Sequence, residues 1–184
     1  GIDSFLGFIG SVELYGGIGD DTLEGGGGGD LLNGDDDSDV IDGGTGNDTL
    51  NGGFGEDTLI GGGGNDELNA GRWNDTLEGG SGNDTLSGNN GADRIVGGVG
   101  NDLLIGGAGA DVFVFASSGD VDMIEDFSDN FDAIDLTAFA FADAVAAMSG
   151  ASQVGSDVEF DFGGGDRLII ENTTLLAVED DLLI

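Results

Sequence analysis

An aspartate stands at every ninth position of this 184-residue chain from Asp21 to Asp111, through Asp30, Asp39, Asp48, Asp57, Asp66, Asp75, Asp84, Asp93 and Asp102. A short period held over that many units excludes an ordinary globular core. Each unit is too small to bury its own apolar residue and must stack on its neighbours, which specifies a solenoid. Around each Asp the unit reads Gly-Gly-x-Gly-x-Asp-x-U-x, with U large and apolar, as in Gly43-Gly44-Thr45-Gly46-Asn47-Asp48-Thr49-Leu50-Asn51 and again from Gly79 to Ser87.

Counting from the first glycine, positions one, two and four supply the positive φ angles of a tight turn and leave carbonyls free to face an ion. Position eight is Leu23, Leu32, Ile41, Leu50, Leu59, Leu68, Leu77, Leu86, Ile95, Leu104 and Phe113, mostly with polar residues on either side, which is the alternation of a short half-buried strand. Two units close one coil with a strand on each side, so alternate units stack about 4.8 Å apart. The expected fold is all-β: a right-handed parallel β-roll of two sheets, two nonapeptides per coil, followed by a small, mostly β cap containing one short helix.

Stacking sets the Asp of each unit beside the Asp two units on. Bare carboxylates about 5 Å apart repel by roughly 1 kcal/mol in water and by more in a half-dry turn, and the repulsion accumulates along both edges, so a cation is expected between them. The chain has no His and no Cys. Oxygen is then the ligand type, and a hard ion of flexible coordination, calcium, fits better than magnesium, zinc or copper. An Asp that caps its own turn without metal is the alternative. Pairs eighteen residues apart, from Asp3 with Asp21 onward, allow up to about ten ions at one per pair.

A formal charge of -35 with three Arg and no Lys excludes nucleic acid as a partner and argues against acidic polysaccharides and anionic membranes. It also disfavours any compact state without counterions. No apolar run is long enough to span a bilayer. With no Cys there is no disulfide framework, so an extracellular chain of this kind needs bound metal as its crosslink. Zinc-protease, serine-triad and thiol chemistry all lack a required residue, and calcium sequesters the carboxylates that a glycosidase pair would need. The expectation is a non-enzyme.

The frame extends backwards, with Asp3 at position six, Phe5 at eight and Val12 replacing one Asp, so the chain reads as a piece that starts inside a repeat; an apolar cap is the other reading of Gly1 to Gly10. From Phe115 the period is lost. Asp122 to Phe127 and Asp132 to Leu136 read as strands joined by an acidic turn, Ala138 to Met148 as a short helix with Phe141, Val145 and Met148 on one face, and Asp157 to Phe162 with Asp166 to Glu171 as a hairpin around Gly163-Gly164-Gly165. Val96, Leu103, Ile105, Val112 and Val114 are apolar at outward positions, and residues 115–184 are expected to cover them. The domains are therefore the roll, 1–114, and a cap, 115–184.

These features resemble the C-terminal region of RTX (repeats-in-toxin) proteins secreted by Gram-negative bacteria, of the kind that follows serralysin-type proteases. The nonapeptides carry the resemblance first, then Asp122-Met123-Ile124-Glu125-Asp126-Phe127, Asp132-Ala133-Ile134-Asp135-Leu136, Gly164-Gly165-Asp166-Arg167-Leu168 and the terminal Asp180-Asp181-Leu182-Leu183-Ile184. The resemblance implies calcium held between successive coils by Asp3 and the Asp residues from Asp21 to Asp111, with carbonyls of turns containing Gly44, Gly46, Gly62, Gly64, Gly80, Gly82, Gly98 and Gly100. It also implies type I secretion machinery as a partner, read through a signal that includes Asp181-Leu182-Leu183-Ile184. That tail also reads as a final strand. Asp126, Asp129, Asp132 and Asp135 form either one more calcium site or a solvated acidic turn.

Two functions follow: a secreted calcium-triggered folding and export module, or an extracellular adhesive or filament protein whose roll mediates assembly. The two turn edges are unequal. One edge, built from the turns ending in Asp30, Asp48, Asp66, Asp84 and Asp102, keeps every glycine; the other carries Asp35-Asp36-Asp37, Arg72-Trp73 and Asn89-Asn90, with Ile18 and Phe54 at exposed tips. Phe54, Arg72 and Trp73 are the expected self-association surface, Trp73 standing in place of a turn glycine.

Overall fold

The structure, a computed structural model, describes residues 1–128, 131–178 and 181–184. The repeats form β1 (Ser4–Leu6), β2 (Glu13–Ile18), β3 (Thr22–Gly27), β4 (Leu31–Asp36), β5 (Val40–Thr45), β6 (Thr49–Phe54) and β7 (Thr58–Gly63). They continue with β8 (Glu67–Arg72), β9 (Thr76–Ser81), β10 (Thr85–Asn90), β11 (Arg94–Val99), β12 (Leu103–Ala108) and β13 (Val112–Val114). Odd strands pair in one parallel sheet and even strands in the other. Within the repeats each neighbour is offset by eighteen residues, as in Leu50 opposite Leu68 and Leu59 opposite Leu77. This is the parallel β-roll that the nine-residue period specifies.

The strands are longer than the alternation around position eight suggests. They run from position seven through position three of the next unit, and the turn proper is only Gly-x-Asp. In β6 both Leu50 and Gly52 face inward and are buried. The core is then one row of large side chains per sheet, Leu23 to Phe113, each fully buried, beside a row of position-one glycines that let backbone approach carboxylate. Ala70 is the exception, a buried methyl where the other units have hydrogen.

After the repeats the chain lengthens both sheets instead of folding over their outer faces. β14 (Val121–Ile124) joins β12, with Ile124 opposite Leu104, and β15 (Ala133–Asp135) joins β13, with Ile134 opposite Phe113. The two segments expected as strands joined by a turn thus belong to opposite sheets, as consecutive repeats do. β16 (Ala151–Val154), β17 (Asp157–Gly163) and β18 (Asp166–Ile170) form an antiparallel meander whose last strand pairs parallel to β14. The expected hairpin is β17–β18. The tail strand, β19 (Leu182–Leu183), adds beside β15, while Asp180 lies outside the described residues. Val96, Leu103, Ile105, Val112 and Val114 stay half-buried, so burial by the cap runs along the solenoid axis, through Ile124, Ile134, Phe160, Leu168 and Ile170.

The expected helix is shorter than its pattern. Ala140 adopts a left-handed conformation after a 3-10 turn at Thr137–Phe139, and α1 (Ala144–Met148) starts only after Asp143, whose carboxylate accepts from the Ala146 amide at 2.8 Å. Val145 points to solvent, and Ala147 is the buried residue. Phe139 stacks on Phe162 at 4.5 Å and on Phe141 at 5.9 Å between ring centres, while Phe141 lies tilted against Phe162, closing a small aromatic cluster over the end of the roll. A further helical turn, α2 (Leu175–Val178), precedes β19. No helix among the described residues is long and apolar enough to cross a membrane.

Candidate metal sites along the turns

Each repeat carboxylate is divided in its duties. Its Oδ1 accepts the backbone N–H of the Asp one coil earlier: Asp30 donates to Asp48, Asp48 to Asp66, Asp66 to Asp84 and Asp84 to Asp102, all at 2.7 to 2.8 Å. The other edge repeats this from Asp21 through Asp39, Asp57, Asp75 and Asp93 to Asp111. Neighbouring carboxylates therefore do not confront each other directly, because an amide of the earlier unit lies between them. Oδ2 is the unsettled atom. In all eleven residues from Asp21 to Asp111 it is buried without a hydrogen-bond partner.

The cradle around Oδ2 is defined by what a side chain at position one would strike. A Cβ on Gly43 would sit 2.7 Å from Asp48 Oδ2 and 2.8 Å from the Gly61 carbonyl; on Gly61 it would sit 2.6 Å from both Asp66 Oδ2 and the Gly79 carbonyl. The same pairing recurs at Gly16, Gly25, Gly34, Gly52, Gly79 and Gly88. An orphaned carboxylate oxygen and a carbonyl of the next coil thus converge on a space smaller than a methyl group can enter, and this oxygen-only donor set suits a hard cation.

Burial dominates the electrostatics. It raises the Asp39, Asp48 and Asp111 carboxyls to about 6 and those of Asp75 and Asp102 to about 7, against the lowering effect of the amide bond to Oδ1, with neighbouring carboxylates adding to the rise. Asp57, Asp66, Asp84 and Asp93 shift in the same direction for the same first cause. A row of buried carboxylates costs stability unless protons or cations compensate it.

The residues expected at these sites are distributed unevenly. The Asp residues from Asp21 to Asp111 all stand on the two ladders, whereas Asp3 is exposed and contributes its amide to Asp21 Oδ1 at 2.6 Å. Gly44, Gly46, Gly62, Gly64, Gly80, Gly82, Gly98 and Gly100 have positive φ, and each packs on the glycine carbonyl one coil before it. The carbonyls beside Oδ2 belong to position one, whose glycines lack the positive φ expected of them; in the repeats it is positions two and four that adopt it.

Two carboxylates extend the ladders beyond the nine-residue period, Asp122 and Asp132, the latter expected only as a member of the acidic group after the repeats. Asp102 donates to Asp122 Oδ1 and Asp111 to Asp132 Oδ1, each at 3.0 Å, with spacings of 20 and 21 residues in place of eighteen. The surviving signal is the Asp-x-U pattern, Asp122 before Ile124 and Asp132 before Ile134. Asp122 is buried, and its carboxyl is likewise raised to about 7.

The described members of the acidic group around Asp132 serve different partners. Asp126 takes the amides of Gly106 and Gly107 at 2.8 Å, closing the last turn of one edge as Asp120 closes the other through Gly100. Asp135 accepts from Thr137, and Asp129 lies outside the described residues. Among the described residues no group of three carboxylates is placed to hold a metal; the sites pair one carboxylate with carbonyls.

On the irregular edge, Arg72 lies over the Phe54 ring at 5.0 Å. Trp73 is 63% exposed at φ +83, and Asp37, at the same position two coils earlier, has φ +78.

The RTX calcium-binding nonapeptide repeat family, as a four-copy unit, matches residues 15–50, 33–68, 42–77, 74–104 and 87–121. No curated protein sequence matches the chain. Among solved structures, the extracellular lipase LipA from Serratia marcescens aligns over 100% of this chain at 20% identity with a TM-score of 0.55, and the chain spans 40% of that lipase. The AlgE6R2 subunit of the Azotobacter vinelandii mannuronan C5-epimerase aligns over 64% of this chain and 88% of its own, at 24% identity with a TM-score of 0.47.

Proposed function

Because the chain belongs to the RTX calcium-binding nonapeptide repeat family, we propose that it is a conditional fold, an open chain where calcium is scarce and a closed roll where calcium is plentiful. The observation that carries this reading is the row of eleven buried Oδ2 atoms without partners. Calcium bound at Oδ2 and the position-one carbonyl of the next coil supplies the positive charge that the chain lacks, with three Arg against 38 acidic residues. At ten times its Kd each such ion adds roughly 1.4 kcal/mol, so a handful amounts to the stability of an ordinary domain.

In this reading residues 1–114 are the calcium roll, and residues 115–184 cap it and carry the address for type I export. The protein is secreted to the extracellular space of a Gram-negative bacterium. The tail serves twice: Asp181 to Ile184 is read by the export machinery in the unfolded chain, and Leu182 pairs with Ile134 once folding has begun. Catalysis belongs to whatever is exported with the roll, whose own sequence offers neither His nor Cys. Far-UV circular dichroism tests the reading. A disordered spectrum in excess EGTA that converts to β structure at millimolar calcium is expected, and full β structure in EGTA at neutral pH refutes it.

A further inference from the structure

The irregular edge contains a cleft of about 490 Å³, lined by Asp36, Asp37, Phe54, Gly55, Glu56 and Trp73. Its shape follows from the register. Asp36, Phe54 and Arg72 stand opposite one another on three successive coils, and Asp37, Gly55 and Trp73 occupy the following position. Of those three only Gly55 lacks a side chain, so a floor of bare backbone lies between Asp37 and Trp73, about two strand spacings across.

The lining combines two exposed aromatic residues, Phe54 at 48% and Trp73 at 63%, with three carboxylates. Aromatic faces attract cations, Trp most strongly, and the carboxylates select the same sign of charge. The structure already shows this preference in use. The guanidinium of Arg72 lies over the Phe54 ring, while Trp73 opens on the cleft. A second copy of the chain is a poor occupant, since each copy stays strongly negative, its formal charge of -35 falling only to about -15 with ten calcium ions bound.

We propose that this cleft is a docking site for a guanidinium-bearing side chain of a basic partner segment, seated over Gly55 between Trp73 and the carboxylates of Asp37 and Glu56. The inference is independent of the export reading, because it needs only the folded roll.

Trp73 is the single tryptophan of the chain, so its emission reports on the cleft alone. The probe is the pentapeptide acetyl-Gly-Arg-Gly-Arg-Gly-amide, titrated onto the full chain in excess calcium at 0.15 M salt, a concentration that screens non-specific attraction. A saturable change in Trp73 emission is expected, with Kd raised at least fivefold in the Asp37→Asn/Glu56→Gln double variant, whose circular dichroism in calcium verifies its fold. Emission that does not respond, or a Kd unchanged in the double variant, overturns the proposal. So does a saturable response to a neutral disaccharide with none to the peptide, or a shift produced by protein concentration alone, which assigns the cleft to self-association.

Discussion

The amide of Asp48 donates to Oδ1 of Asp66 at 2.8 Å, and the other oxygen of the same Asp66 carboxylate is buried without a partner. One carboxylate therefore performs two separable tasks, a neutral one in the ladder and a charged one in the cradle. Asp66→Asn keeps an acceptor for the Asp48 amide and removes the charge. It is expected to lower the calcium stoichiometry by one while increasing β content in EGTA. Isothermal titration together with circular dichroism measures both, and a variant destabilised under both conditions contradicts this division.

The raised carboxyls make the metal-free roll and the calcium-loaded roll respond to pH in opposite ways. A carboxyl whose folded pKa lies above its unfolded value holds more protons when folded, so it stabilises the metal-free roll fully below about 3.8 and loses that contribution as pH rises through 6 to 7. Calcium needs the ionised form, so its affinity falls as pH drops through the same window. β content in EGTA should increase from pH 7.5 to 5.5, while the calcium midpoint moves to higher concentration. If both change in the same direction, burial of the ladder is not the cause.

The repeat geometry was legible because period and chemistry coincide: Asp at six, a large apolar residue at eight and glycine at one each occupy a place that only that residue type can fill. The reason for glycine at position one is not a turn angle, since it lacks positive φ; its role depends on a carbonyl eighteen residues away, which the local pattern does not show. The cap was legible in its strands and not in its placement. Asp122 and Asp132 keep the local pattern but shift its spacing by two and three residues, and only tertiary pairing with Leu104 and Phe113 shows that the solenoid continues. The helix prediction failed at Ala140 and Val145 because a local apolar period does not reveal which face the end of a roll presents.

Ending the chain at Val114 exposes Leu104 and Phe113, fully buried in the intact protein, and frees the amides of Gly100, Gly106 and Gly107 from Asp120 and Asp126. Open sheet ends of this kind associate edge to edge. The truncated chain is expected to require at least threefold more calcium to fold and to elute as oligomers in size-exclusion chromatography. An equal midpoint with a monodisperse elution profile removes the capping role from residues 115–184.

Ala70 provides the sharpest test of the cradle, because nature has already performed the substitution. A Cβ at this position of the other units would lie within 2.8 Å of its own Asp Oδ2, and Ala70 carries that methyl in front of Asp75. The Ala70 carbonyl still faces Asp57, 2.5 Å from where a Cβ on Gly52 would be, so only the Asp75 cradle is obstructed. Ala70→Gly should therefore bind one more calcium ion than the parent chain, whereas Gly61→Ala, which places a methyl before Asp66, should bind one fewer. The two substitutions change helix and strand propensity in opposite senses and only modestly, by about 1 kcal/mol, so stoichiometry rather than stability is the decisive quantity. Calcium counted by equilibrium dialysis should rank Ala70→Gly above the parent and Gly61→Ala below it; equal counts in all three would place the bound ions away from position one.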